Sequence, residues 1–293
     1  MLGRDLIDAF KGRFELAGVG LGDGSRLGIP YEEIDLTDAP RVEAFWDRTK
    51  PDLIFHLAAM TNVDLCETEK DAALRANTRA VEIVAGATKR QHVPLVFFST
   101  DFVFDGKKTA EYAEDEPRAP LSYYGETKRL AEDSIRQCGV SYVIFRICWL
   151  YGLHGRSFPR AILDIAAKQK ILNVVDDQIG RPTYTRDLCA AFCKLLDQDP
   201  QIFFKKAGNI FHLGNSGTAS WADFAAEILR LAGYTDHKVQ RIGWRELDPP
   251  RAARRPEHAV LSLEKARREL GIQTRPWQEA LGDFMREYSR SCP

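Results

Sequence analysis

The sequence predicts an α/β protein, a doubly wound parallel sheet accompanied by a second, smaller domain. Three observations carry that prediction. Apolar, strand-like runs alternate with segments of helical periodicity through the first half of the chain, the pattern of right-handed crossovers. Residues 53–58 and 94–98 are solidly apolar rather than alternating, as suits strands covered on both faces. A length of 293 residues with 44% hydrophobic content allows one or two domains and a large core.

Leu2, Leu6, Ile7 and Phe10 recur at helical spacing and open the chain with a helix. Residues 14–20 read as a strand, 34–36 as a short strand, and 41–49 as a helix. After the strand at 53–58, a long helix spans 68–91 and a strand spans 94–99. The helix at 122–138 then leads into a strand at 140–147. Beyond Trp149 the pattern loosens: 158–170 and 184–197 are helical, 171–175 and 209–213 extended, with further helices at 219–232 and 262–270. No internal repeat or low-complexity tract interrupts it.

A net charge of -1 gives no electrostatic case for nucleic acid as a partner. No apolar run approaches a membrane span, and no signal peptide precedes the first helix. The six cysteines (Cys66, Cys138, Cys148, Cys189, Cys193, Cys292) lack metal-ligand spacing; Cys189 and Cys193, on one helix face, read as small core residues. Reduced thiols fit a cytoplasmic home. The six histidines are scattered, so no metal is expected.

The chemistry concentrates in two short stretches. Tyr124 and Lys128 lie four residues apart and share one helix face. A nearby cation favours the phenolate and lowers a tyrosine pKa from its free value of about 10, which makes Tyr124 a usable proton donor near neutral pH. Tyr-x-x-x-Lys alone is a weak motif. Its context strengthens it: Ser99-Thr100-Asp101 follows an apolar strand, at the edge of a parallel sheet where ligands bind. Thr100 is placed to hold a carbonyl oxygen beside the phenol. Tyr123 is the poorer acid, because residue 127 is threonine and offers it no lysine. The expected reaction is carbonyl reduction.

Ser99-Thr100-Asp101-Phe102-Val103-Phe104-Asp105-Gly106 and Pro120-Leu121-Ser122-Tyr123-Tyr124-Gly125-Glu126-Thr127-Lys128 resemble the extended short-chain dehydrogenase/reductases, and among them the dTDP-4-dehydrorhamnose reductase family. Phe145-Arg146, Trp149-Leu150-Tyr151-Gly152, Asp177-Gln178-Ile179-Gly180-Arg181-Pro182-Thr183, Arg255-Pro256 and Leu261-Ser262 extend the resemblance, in order, over nearly the whole chain. It implies a Rossmann fold with interleaved domains: residues 1–148 and 184–215 for the dinucleotide, 149–183 and 216–293 for the substrate. It implies NADPH, with NADH also admissible, and a nucleotide-sugar substrate, dTDP-4-dehydro-6-deoxy-L-mannose, reduced at C4 to dTDP-L-rhamnose. A homodimer is a family-level expectation.

Residue by residue, the resemblance makes Thr100, Tyr124 and Lys128 catalytic, with Lys128 also binding the nicotinamide ribose. Asp35 and Leu36 would lie by the adenine, although a helix cap competes for Asp35. Ala58 and Ala59, in His56-Leu57-Ala58-Ala59, would let the dinucleotide lie close; Asn77 would pack below the site unless it merely faces solvent. Arg26 would meet a 2′-phosphate unless it is a solvated loop arginine. Asp101 could order the site or touch a sugar hydroxyl. Trp149 would offer an apolar surface to a sugar or base, with a tryptophan anchoring the domain junction as the alternative. Arg181 would meet the diphosphate; Arg254 and Arg255 read as surface charge.

The chain departs from the family at its start. Met1-Leu2-Gly3-Arg4-Asp5-Leu6 matches only the end of the glycine-rich turn, with Gly3 as its third glycine. The sequence reading expects Met1 to be an internal methionine taken for the initiator, a trimmed chain or a degenerate member being the alternatives. Three other readings stay open: a non-catalytic regulatory subunit resembling that of methionine adenosyltransferase, a catalytically dead sugar-nucleotide binder, and a sugar-nucleotide epimerase or dehydratase.

Overall fold

The computed structural model describes residues 1–291, so the expectation for Cys292 lies outside the described residues. Helix α1 (Leu2–Phe10) leads through strands β1 (Gly18–Gly20) and β2 (Tyr31–Glu33) to helix α2 (Ala39–Thr49) and strand β3 (Ile54–His56). A broken helical stretch follows: α3 (Val63–Thr68), α4 (Lys70–Leu74), a π-turn at Arg75–Arg79, and α5 (Ala80–Gln91). Strand β4 (Leu95–Thr100), helix α6 (Tyr123–Cys138) and strand β5 (Tyr142–Ile147) come next.

All strand pairings in the main sheet are parallel: β3 pairs with β4, β4 with β5, and β5 with Asn209–Leu213. β1 and β2 form a separate parallel pair. The expected doubly wound sheet is therefore present in two pieces. Its two faces carry different cores. One packs Leu2, Leu6 and Phe10 of α1 with Phe98, Phe145 and Phe192. The other packs Val42 and Trp46 of α2, Val81 and Val84 of α5 and Ile135 of α6 against Phe97 and Ile144. A third cluster, spanning Tyr151 to Phe284, includes Ile162, Leu172, Phe224 and Trp277.

Four expectations need correction. The strand expected at 14–20 shrinks to Gly18–Gly20, because Phe14 turns back to bond the Phe10 carbonyl and stacks edge-on to that ring. The strand expected at 34–36 sits at Tyr31–Glu33; Asp35 instead closes a turn by accepting from the Thr37 N–H and hydroxyl. The helix expected at 68–91 begins earlier and is broken at Glu69 and by the π-turn. Helix Glu264–Leu270, expected with the smaller domain, packs Ala266 and Leu270 into the α1 face of the main core, and Lys265 donates to the Ile210 carbonyl.

Candidate active site

The site forms where β4 ends and α6 begins. β4 is buried along its whole length, and its last residues align with the end of β5, Thr100 opposite Ile147. Ser122 caps α6 by accepting from the Gly125 N–H, and Gly139 ends it in the left-handed conformation. Gly125 is required by a close approach: a Cβ there would lie 2.2 Å from the Phe102 carbonyl oxygen. The first turn of α6 thereby rests on the backbone just after Thr100, with the Tyr124 ring edge-on to Phe102 at 5.5 Å.

The structure brings Thr100, Asp101 and Tyr124 together, with Lys128 one turn further along α6. The Thr100 hydroxyl donates to Asp101 Oδ1 at 2.9 Å and accepts from the Phe102 N–H at 3.2 Å. Beside the Tyr124 phenol, the same hydroxyl favours the phenolate. Asp101 is buried, and burial pushes its carboxyl up to about 7 against the Thr100 hydroxyl and neighbouring N–H groups. A chain thus links a carboxyl that titrates near neutrality to the phenol.

The electrostatics differ from the sequence expectation. Burial, with Asp101 adding to it, raises the phenol of Tyr124 above its ordinary value. Lys128 is not among the groups that offset that rise. Its own ammonium is brought down to about 7 by burial, with Glu132 opposing. The physical reason is shared desolvation: both groups have left water, and Lys128 Nζ sits over the Phe97 ring, 4.1 Å from its centroid. Tyr124 accordingly keeps its proton through the neutral range.

The surroundings sort the remaining candidates. Asn77 lies in the π-turn and is fully buried, bonded to the Met60 N–H and carbonyl and to Thr127, so it braces α6 and the loop after β3 rather than facing solvent. His56, at the end of β3, is buried and held neutral, down at about 3, by burial and by Lys128. Ala58 is exposed and Ala59 half-buried just beyond it. Gly3 lies in the first turn of α1, 3.4 Å from the Leu57 side chain when a Cβ is added. Leu36 is buried, and Asp35 is occupied with Thr37 while the cap of α2 is Asp38. Arg26 is exposed on a short 3-10 turn, where its carbonyl accepts from Arg4.

Two substrate candidates change role. Arg181 is buried with its donors committed: Nε to the Leu261 carbonyl, Nη1 to the Gly217 carbonyl and Nη2 to Glu111. A guanidinium tied to three loops is not free to meet a diphosphate. Trp149, at φ 47°, stacks on Trp221 with ring centroids 3.5 Å apart, and a Cβ on Gly180 would lie 2.5 Å from its indole. Those contacts favour the junction-anchor alternative. Sequence reading missed Glu132 and Arg146 as a buried pair beneath the site; the available signal was Glu132 four residues past Lys128 on the same helix face.

The residues present fit a nicotinamide cofactor at its reactive end. Lys128 is buried, yet its ammonium has no hydrogen bond or ion pair among the described residues, leaving three donors for hydroxyl oxygens.

The RmlD substrate binding domain model matches residues 1–290. This chain belongs to that family. It is 36% identical over 287 residues to the spore coat polysaccharide biosynthesis protein SpsK of Bacillus subtilis, covering 92% of this chain and 97% of that one. It is 33% identical over 285 residues to a dTDP-4-dehydrorhamnose reductase of Aggregatibacter actinomycetemcomitans, covering 96% and 93%. The crystal structure of dTDP-4-dehydrorhamnose reductase from Bacillus anthracis in complex with NADP superimposes with a TM-score of 0.82 at 28% identity, over 94% of this chain and 100% of that one. Membership places the chain among NAD(P)-dependent oxidoreductases. No helix among the described residues is long and apolar enough to cross a membrane.

Proposed function

We propose that this chain uses NADPH to reduce the C4 ketone of dTDP-4-dehydro-6-deoxy-L-mannose, giving dTDP-L-rhamnose. The observation that carries the reading is Thr100, at the end of β4, beside the Tyr124 phenol, with Lys128 one turn further along α6, in a chain whose relatives include named dTDP-4-dehydrorhamnose reductases. The nicotinamide, when bound, supplies the hydride. Tyr124 holds the proton that the carbonyl oxygen takes up, and the Thr100 hydroxyl orients that oxygen against the phenol. Asp101 titrates near neutrality; in its acid form it can pass its proton to the Thr100 hydroxyl, which gives its own to the Tyr124 phenolate, leaving Asp101 as the carboxylate. Lys128 would bind the ribose hydroxyls through its uncommitted donors, and Ala58, Ala59 and Gly3 would line the dinucleotide. The division into a dinucleotide-binding part and a sugar-nucleotide-binding part is supported by the third core cluster, which is separate from the two that cover the sheet.

The test is turnover of purified protein with NADPH and enzymatically prepared dTDP-4-dehydro-6-deoxy-L-mannose, followed by nicotinamide absorbance and chromatography of the sugar nucleotide. Formation of dTDP-L-rhamnose supports the reading. Binding of NADPH without turnover of this substrate would move the protein to another dTDP-4-keto sugar, and absence of NADPH binding would remove the hydride chemistry.

A further inference from the structure

We propose that Glu132 is a positioning residue that clamps the helix carrying Tyr124 and Lys128 to the strand ending in Thr100. This rests on the reductase reading above. Glu132 is fully buried, one turn beyond Lys128 and on its face of α6. Its Oε1 accepts from Ser99 Oγ at 2.5 Å and from Arg146 Nε at 2.9 Å; its Oε2 accepts from Arg146 Nη2 at 2.7 Å and from Arg118 Nη1 at 3.1 Å. The donors come from β4, from β5 and from the loop before α6.

A buried carboxylate is tolerated only when its lone pairs are taken, and bidentate arginine fixes its plane as well as its place. Every one of those bonds must break before α6 can slide or rotate on the sheet. Ser99 precedes Thr100, so the same carboxylate that anchors the Lys128 turn also anchors the end of the catalytic strand. Arg146 is held in turn by the Glu114 carbonyl at 3.0 Å, with His212 at 3.4 Å. The arrangement is over-determined, as a site that needs sub-ångström alignment demands.

The charges around it define its second effect. Glu132 is faced by Arg146 from β5, by Arg118 from the loop and by Lys128 from its own helix. Asp133 pairs with both Arg118 and Arg129, and Glu114, His212 and Lys265 lie around Arg146. Lys128 is further faced by His56, which is neutral. Glu132 is the group that opposes the loss of charge on Lys128.

The experiment compares wild type with Glu132→Gln, Glu132→Asp and Ser99→Ala, measuring kcat, KM and the pH profile with NADPH and the dTDP-4-keto sugar. In parallel, carbon-13-labelled lysine is titrated by NMR, with the Lys128 signal assigned from Lys128→Met. Glu132→Gln should lower kcat by about a hundredfold with KM nearly unchanged, and move both the Lys128 titration and the alkaline limb of kcat to lower pH. Glu132→Asp should restore the limb and part of kcat. Ser99→Ala should lower kcat about tenfold and leave the Lys128 titration in place. Wild-type kcat in Glu132→Gln, or a loss of kcat with the Lys128 titration unmoved, overturns the proposal. If Glu132→Gln fails to fold, Ser99→Ala decides: a kcat within about twofold of wild type overturns it. If wild type itself does not turn over, the reductase reading fails, while the Lys128 titration still reports on the clamp.

Discussion

Asp101 offers the sharpest quantitative check on the site. Its carboxyl titrates at about 7 in the fold against 3.8 in an ordinary aspartate, chiefly through burial. Between those two pH values the unfolded chain has released a proton that the folded protein keeps, so the contribution of Asp101 to stability falls as the pH rises from about 4 to about 7. Each pH unit of that window is worth about 1.4 kcal/mol, which makes the burden carried by Asp101 at pH 8 about 4 kcal/mol greater than at pH 4. Asp101→Asn keeps an oxygen to accept from Thr100, has no titration, and escapes that burden. Urea denaturation of both proteins at pH 4, 6 and 8 should therefore show the variant gaining on wild type by about 4 kcal/mol across the range, most of it between pH 4 and 7. The variant also lacks the charge that helps to keep the phenol protonated, so its activity should weaken while its stability rises. A stability difference independent of pH would refute the reasoning, because it would mean that Asp101 is not desolvated.

Tyr124→Phe should lower kcat by about a thousandfold while NADPH titration stays close to wild type, since the ring contact with Phe102 remains; near-normal turnover would assign the proton to another group. Lys128→Met should lose NADPH binding and turnover together. It should also be stabilising below pH 7, with the gain shrinking as the pH rises from 7 toward 10.5, because the fold holds this lysine neutral over that window and the unfolded chain does not. Arg181→Ala should cost about 3 kcal/mol of stability in thermal or urea unfolding by releasing Leu261, Gly217 and Glu111 together. Its KM for the sugar nucleotide should change little, and a rise in KM without a loss of stability would restore the diphosphate role.

The parts of the fold that sequence shows best are those whose signal is local. β4 and β5 announce themselves as apolar runs, and α6 by the serine that caps it and the glycine that ends it. The strand Lys238–Ile242 escaped because it is largely exposed and polar, held only by its parallel pairing with Ile171–Val175. Helix Trp277–Ser291 was legible and overlooked: Trp277, Ala280, Leu281 and Phe284 fall on one buried face. The candidate trio was visible as a pattern of spacing and strand context. Its electrostatics were not, because helical adjacency of Tyr124 and Lys128 says nothing about what burial does to each. Arg181 and Glu132 show the same limit from opposite sides. Both are charged residues whose partners lie 14 to 80 positions away in sequence, and only the folded chain reveals that their charges are already answered.

The division of the parallel sheet into two pieces has a thermodynamic consequence. β1 and β2 are three-residue strands, two of the three β1 positions are glycine, and neither strand bonds to the main sheet. A two-stranded ribbon of that length has little stability of its own and relies on the residues that follow it, Ile34 and Leu36, being anchored among α2 and α5. This corner is thus expected to open in native-state exchange at a free energy below that of global unfolding. A ligand engaging this corner would couple to its local folding: binding would add stability to the ribbon, and loosening of the ribbon would weaken affinity.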